Sequence, residues 1–254
     1  MLTSGQTVLV TGGGSGLGAA TARHLASLGA RVAILDFDSE RGGSVARECG
    51  GHAVQADVGD QAAVDSALEE AAQHLGGAPR IVVNCAGVGH AARIVGREGK
   101  MSFDVFEKTL RVNLFGTYNV MSHAARRMMS LVPLETGERG VIINTSSVAW
   151  EDGQLGQAAY AASKGGIASM CLPAAREFAQ HGIRVVGIAP GLFQTPMMAG
   201  LPEEVSAKIT ANIPFPPRLG DPDEYALLAA HIVANPFLNG TTIRLDGAVR
   251  LPPR

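Results

Sequence analysis

Tyr160 and Lys164 stand four residues apart in "QAAYAASKGG" (157–166), a stretch whose other members are mostly small or apolar. Residues at that spacing share one face of a helix, and Gln157, three before the tyrosine, joins them. Ser147 lies 13 residues before Tyr160. A free phenol ionises near pH ~10 and is a poor base at neutrality. A nearby ammonium favours the phenolate, so the pair becomes a device for taking a proton from a hydroxyl or returning it. A serine hydroxyl beside it can donate to an oxygen on which charge develops. Alone, each has an ordinary reading: a solvated helix face, or a helix-capping serine. The neighbouring elements must decide.

Those elements alternate. "TVLVTG" (7–12), "RVAILD" (31–36), "HAVQAD" (52–57), "RIVVNCAG" (80–87), "GVIINTSS" (140–147) and "IRVVGIAPG" (183–191) read as strands, and "GTTIRLDG" (240–247) as a further one. Most are apolar without strict alternation, as strands covered on both faces are. Residues 16–29, 40–49, 61–75, 103–129 and about 155–181 carry helical spacing. The pattern predicts an α/β fold: a doubly wound parallel sheet of about seven strands with right-handed crossovers. No linker or repeat interrupts residues 1–254, which are expected to form a single domain. Segment 192–220 follows a strand's carboxyl end and holds five prolines and adjacent methionines, Met197 and Met198. It is expected to form a lid over an apolar ligand.

Composition narrows the classes. A net charge of −2 gives no global attraction to nucleic acid or to an anionic membrane. No apolar run is long enough to span a bilayer, so no membrane partner is expected. The start, "MLTSGQTVLVTGG", lacks the pattern of a secretory signal. Cys49, Cys85 and Cys171 are odd in number and lack metal-ligand spacing. They suit a reduced interior, and a cytoplasmic location is expected. The scattered histidines are assigned no metal.

The glycine turn supplies the missing partner. "TGGGSGLG" (11–18) joins the first strand to the first helix, and Gly12, Gly16 and Gly18 leave room where side chains would block a phosphate. Asp36 ends the second strand, where dinucleotide sites place an acid. Its carboxylate would accept the adenosine ribose hydroxyls and repel a 2′-phosphate, favouring NAD over NADP; Arg41 is the nearby cation in sequence. Hydride loss from an alcohol carbon requires the hydroxyl proton to leave too, which is the task of Tyr160.

The spacing TGxxxGxG resembles the short-chain dehydrogenase/reductase family. "NCAG" (84–87) looks like its NNAG motif, "VNLFG" (112–116) its NxxG element, "YAASK" (160–164) its YxxxK, and "APG" (189–191) its PG element. The resemblance covers the whole chain. It implies a catalytic set of Ser147, Tyr160, Lys164 and Asn113, with Asn113 holding a backbone kink and a water that links Lys164 to solvent. It further implies that Ser15, Leu17, Asp57, Val58, Cys85, Gly87, Phe193 and Thr195 line the NAD site, with Tyr160 and Lys164 also reaching the cofactor. Gln157 would face the substrate beside Ser147 and Tyr160.

Within the family the chain is most similar to the type-2 3-hydroxyacyl-CoA dehydrogenases, through "GQLGQAAYAASKGGI" (153–167), "IPFPPRLGDPDEYA" (213–226) and "NPFLNGTTIRLDGAVR" (235–250). That implies oxidation of an (S)-3-hydroxyacyl-CoA, with hydroxysteroids as further substrates, and a homotetramer. The small residues of "ASKGGIASM" (162–170) would let helices approach at a two-fold interface. Arg93, Arg97 and Lys100 in the loop 89–102 would meet CoA phosphates. Two alternatives stay open: an NADPH-dependent 3-oxoacyl thioester or ketone reductase, and a non-catalytic scaffold or RNA-associated subunit.

Overall fold

The computed structural model describes residues 1–196, 198 and 210–253. Among them, β1 (Thr7–Thr11), β2 (Arg31–Asp36), β3 (His52–Gln55), β4 (Ile81–Asn84), β5 (Gly140–Thr145), β6 (Ile183–Pro190) and β7 (Thr242–Leu245) form one parallel sheet. The strand order is β3-β2-β1-β4-β5-β6-β7. Ile34, Val10, Val83, Ile143 and Val186 stand side by side across five strands. This is the doubly wound Rossmann-type arrangement that the alternation predicted.

Side chains alternate between the two faces of each strand. Leu9, Leu35, Val82, Ile142 and Val185 pack with Val64 and Leu68 of α3 (Gln61–Leu75), Val120 and Met128 of α5 (Gly116–Met128), and Cys171 and Phe178 of α6 (Ala158–Phe178). Val8, Val10, Ile34, Val83, Ile143 and Val186 pack with Leu25 of α1 (Gly16–Ser27), Val45 of α2 (Ser39–Glu48), and Tyr225 and Ile232 of α7 (Pro222–Ala234). Two covered faces explain strands that are apolar along their length.

The differences from expectation lie at element ends. Residues 103–129 are not one regular helix: α4 (Phe103–Leu110) passes through a π-helical turn at Arg111–Phe115 into α5. The expected strand 52–57 stops pairing at Gln55, and Asp57 instead turns its carboxylate to the Gly59 amide at 2.8 Å. The expected strand 80–87 leaves the sheet after Asn84, which frees Cys85–Gly87 to line the site. α7 was not anticipated. Its signal was in the sequence: Asp221, Pro222 and Glu224 form a capping box with proline in the first turn. The expected lid falls largely on 197 and 199–209, outside the described residues. Of its flanks, Phe193 bridges to Gly220 and is buried.

Candidate active site

The strand order reverses between β1 and β4, and open α/β sheets bind ligands at the carboxyl ends beside such a point. The turn from β1 to α1 lies there. Gly12 has φ +62, and a Cβ on it would stand 2.7 Å from the Ala86 nitrogen. A Cβ on Gly18 would overlap the Gly12 carbonyl oxygen. Gly16, φ +50, faces Thr195, whose Cγ2 would lie 3.4 Å from an added Cβ. Ser15 is the N-cap of α1 in extended backbone and makes no side-chain cap bond, which leaves the first-turn amides for an anion. Leu17 is half-buried against the core.

Asp36 closes this turn. Its Oδ2 accepts from the Gly14 amide at 2.8 Å and its Oδ1 from the Asp38 amide at 2.9 Å. Gly14 escaped the sequence reading. A Cβ there would lie 2.9 Å from both Asp36 Oδ2 and the Gly42 nitrogen, so only glycine lets the carboxylate approach. Arg41 is paired with Asp38 at 3.2 Å. Past β3, Val58 is buried, and Asn119 donates to its carbonyl at 3.0 Å. The Phe193 side chain goes into the core against Gly220, so any ligand would meet its backbone first.

The reactive groups gather at the ends of β4 and β5. Ser147 is buried just beyond β5, where its Oγ accepts from the Ala149 amide at 3.2 Å. Tyr160 and Lys164 occupy the first turns of α6, with Lys164 Nζ 5.7 Å from the centre of the Tyr160 ring. Nζ donates to the Thr145 carbonyl at 2.8 Å. Asn113 sits fully buried in the π-helical turn. Its Oδ1 accepts from the Val88 amide at 2.8 Å, and its Nδ2 donates to the Val88 carbonyl and to Ser163 Oγ, both at 3.0 Å. One side chain thus ties the end of β4 and the α4–α5 junction to α6. A Cβ on Gly87 would lie 3.1 Å from Asn113 Oδ1 and 3.6 Å from Lys164 Nζ, so its lack of a side chain keeps these groups together. Gln157 starts α6, but its Oε1 accepts from the Gln154 amide at 3.0 Å, so its oxygen belongs to the loop.

Thr145, Ser163 and Tyr225 were missed by sequence reasoning. The Thr145 hydroxyl pairs with the Tyr225 hydroxyl at 2.7 Å and donates to Cys85 Sγ at 3.6 Å. Thr145 is thereby fixed on one side while its carbonyl holds Lys164 on the other. It could have been suspected from "INTSS", as the last strand residue before Ser147.

Electrostatics correct one expectation. Burial pushes the Tyr160 phenol above its ordinary value, and a hydrogen bond with Ser147 only partly reverses this. The phenol is therefore not made acidic by its ammonium in the protein alone. Lys164 is itself buried, directs its charge at Thr145, and is brought down to about 8 by burial. Burial likewise raises the Cys85 thiol, with its hydrogen bonds to the Thr145 and Tyr225 side chains opposing it.

Among the described residues, ligand atoms suited to a metal gather at His52, Glu70 and His74. The two imidazoles stack 3.4 Å apart with planes inclined by 6°. His52 Nε2 is paired with the Glu70 carboxylate at 2.9 Å and His74 Nδ1 with the Glu70 carbonyl at 3.0 Å.

Residues 6–206 match the short chain dehydrogenase family. The chain belongs to that family. A 3-hydroxyacyl-CoA dehydrogenase type-2 from Homo sapiens is 47% identical over 253 residues, covering 98% of this chain and 97% of the relative. A (3R)-3-hydroxyacyl-CoA dehydrogenase from Homo sapiens is 37% identical, covering 95% and 94%. The crystal structure of a 3-hydroxyacyl-CoA dehydrogenase type-2 from Mycobacterium avium superposes with a TM-score of 0.93 at 42% identity over 98% of both chains. Family membership makes the chain an oxidoreductase that uses a nicotinamide cofactor. The residues present fit such a group: a turn only glycines can form, uncapped first-turn amides and a carboxylate at the end of β2.

Proposed function

We propose that this chain is an NAD-dependent dehydrogenase that interconverts an (S)-3-hydroxyacyl-CoA and its 3-oxo form. The observation that carries this reading is the meeting of Ser147, Tyr160 and Lys164 at the sheet edge that also holds the glycine turn and Asp36. When bound, the oxidised nicotinamide accepts a hydride from the alcohol carbon. The rest is done by side chains. Tyr160 Oη takes the hydroxyl proton in oxidation and returns it in reduction. Ser147 Oγ donates to the substrate oxygen as charge develops there. Lys164, released from Thr145, adds the positive charge that offsets the burial of the phenolate. Asn113 holds the α4–α5 junction and α6 so that these groups meet. Asp36 accepts the ribose hydroxyls and disfavours a 2′-phosphate, and Arg41 is already engaged by Asp38.

The thioester substrate is supported by the nearly full-length identity to relatives so named. It is also supported by Arg93, Arg97 and Lys100, which are exposed and form no ion pair among the described residues. Cations in that state can meet phosphates. The test is steady-state turnover of (S)- and (R)-3-hydroxyacyl-CoAs of several lengths against simple secondary alcohols, with NAD and NADP in parallel. NAD-dependent oxidation of the (S) thioesters is expected. Preference for NADPH and for ketone reduction would replace this reading with the reductase.

We further propose a homotetramer in the cytoplasm. Phe103, Phe106, Phe115 and Tyr118 on α4, the π-helical turn and α5 are exposed apolar groups suited to association. On α6, Gly166 already packs against Leu114, whereas a Cβ on Gly165 would meet nothing nearer than 3.9 Å. Three unpaired thiols suit a reducing compartment. Light scattering showing a monomer would remove the assembly.

A further inference from the structure

On the reading proposed above, the loop between Ser147 and α6 would form one wall of the substrate site, because it ends at Gln157 and leads directly to Tyr160. Its first half is held by a 3-10 turn at Val148–Trp150 with Val148 and Ala149 buried, while residues 153–156 run without regular structure. Its support comes from the far end of the described chain. Gln154 Nε2 donates to the Pro252 carbonyl at 2.8 Å, and the Leu155 amide donates to the Pro253 carbonyl at 3.1 Å. Gln154 also donates its own amide to Gln157 Oε1 at 3.0 Å, so the tie reaches the substrate-facing residue in one step. On the other side, the Ala92 amide donates to the Gly156 carbonyl at 2.8 Å, which joins the wall to the loop bearing Arg93, Arg97 and Lys100.

A second anchor aims the 249–253 segment. Arg244 of β7 bonds Asp152 Oδ2 at 2.7 Å, Asp246 Oδ2 at 2.8 Å and the Val249 carbonyl at 3.2 Å, and also pairs with Glu151. Burial alone would favour discharging this guanidinium, and its bonds to Asp152, Glu151 and Asp246 more than reverse that. Val249 is fully buried, so the chain leaves β7 on a fixed path. The residues that receive the loop are prolines. They have no N–H to satisfy, and their φ is already set, so they offer two carbonyls at little ordering cost.

We propose that Pro252 and Pro253 are positioning residues: their carbonyls fix the 154–157 wall, and through it Gln157 and the 89–102 loop, and so set affinity for the acyl thioester without touching the reacting carbon. This rests on the substrate class proposed above. The residues expected on the adenosine side of the cofactor, namely the glycine turn, Asp36, Asp57 and Val58, lie on β1–β3 and the turns that follow them, away from this tie, so affinity for NAD should not respond.

The test compares the full chain with one stopped after Arg250, and with Gln154→Glu, which keeps the side-chain shape but removes the donor to Pro252. The KM for a 3-hydroxyacyl-CoA should rise about tenfold in the shortened chain and severalfold in Gln154→Glu, with kcat within twofold and the KM for NAD unchanged. Hydrogen exchange at the Leu155 amide should accelerate in the shortened chain. An unchanged thioester KM would overturn the proposal, as would a parallel loss of kcat and NAD affinity, the mark of general unfolding. Should the full chain turn over no thioester, the substrate assignment fails by itself. The Leu155 amide then decides the clamp: faster exchange supports it and unchanged exchange overturns it.

Discussion

Arg184 and Lys164 are equally hidden, at 6% and 5% exposure, yet the protein treats their charges in opposite ways. Arg184, near the start of β6, donates to Glu138 at 2.7 Å and to the carbonyls of Leu238, Ile232 and Val233 at 2.8, 2.9 and 3.1 Å. Glu138 also accepts from the Met1 ammonium at 2.8 Å. Burial would raise this carboxyl, but the bonds from Met1 and Arg184 bring it below its ordinary value. Lys164, at the opposite edge of the sheet, has three donors and gives a hydrogen bond to Thr145 alone among the described residues. Its charge is therefore poorly answered, and burial brings it to about 8. A cation left in that state costs stability, and such groups concentrate where chemistry is done. The first cation holds the amino edge together; the second is kept ready at the carboxyl edge.

Substituting each cation by methionine should separate the two roles most sharply. Arg184→Met strands Glu138 beside a single ammonium and leaves carbonyls unpaired, so unfolding free energy should fall by about 3–5 kcal/mol. Turnover per folded molecule should persist, as checked by denaturant titration alongside kcat. Equal stability would mean that the Arg184 network adds nothing. Lys164→Met should behave inversely. Turnover should drop by about 10²–10⁴-fold with the loss of the charge beside the phenol. The cofactor-free fold should gain about 2 kcal/mol at pH ~7, since a buried charge is removed for the loss of one hydrogen bond.

The pH dependence of that gain follows from the sign of the shift. Lys164 has a folded value of about 8, below its ordinary 10.5. Between these limits the unfolded chain binds more protons than the folded one, so wild-type stability from this group rises with pH. It is fully present above about 10.5 and lost as pH falls through about 8. The advantage of Lys164→Met should therefore be greatest below pH ~8 and fade toward ~10.5. A constant advantage across that window would show that Lys164 is not depressed.

The sequence made the constellation legible because its members are local or sit at strand ends. Spacing alone put Tyr160 and Lys164 on one face, and strand alternation put Ser147, the glycine turn and Asp36 at one edge. What escaped was the direction in which groups point and what meets them from afar. No pattern says that Lys164 donates to the Thr145 carbonyl, or that burial raises the phenol that was expected to turn acidic beside the lysine and a bound nicotinamide. Tyr225 reaches Thr145 across 80 positions, and Gln154 reaches Pro252 across 98. Such pairings are created by the fold and leave no local trace. The π-helical turn was hidden within a regular helical period, although Asn113 itself was marked by its motif.

Asp36 combines the two roles that the cations divide: each of its oxygens holds one amide, yet a carboxylate has acceptor capacity beyond that. It serves the fold by drawing Gly14 inward, and its remaining capacity serves the ribose. Asp36→Asn separates these uses, because the amide oxygen can still accept from Gly14 while the exposed Asp38 amide turns to water and the negative charge is gone. The NAD to NADP preference in kcat/KM should fall about tenfold, roughly 1.4 kcal/mol, with little change in melting temperature. Asp36→Ala should match it in cofactor preference but lose about 1 kcal/mol more stability through the unpaired Gly14 amide. If Asn kept the full preference for NAD, shape rather than charge would select the cofactor, and the fixed pairing of Arg41 with Asp38 would then matter more than the carboxylate at the end of β2.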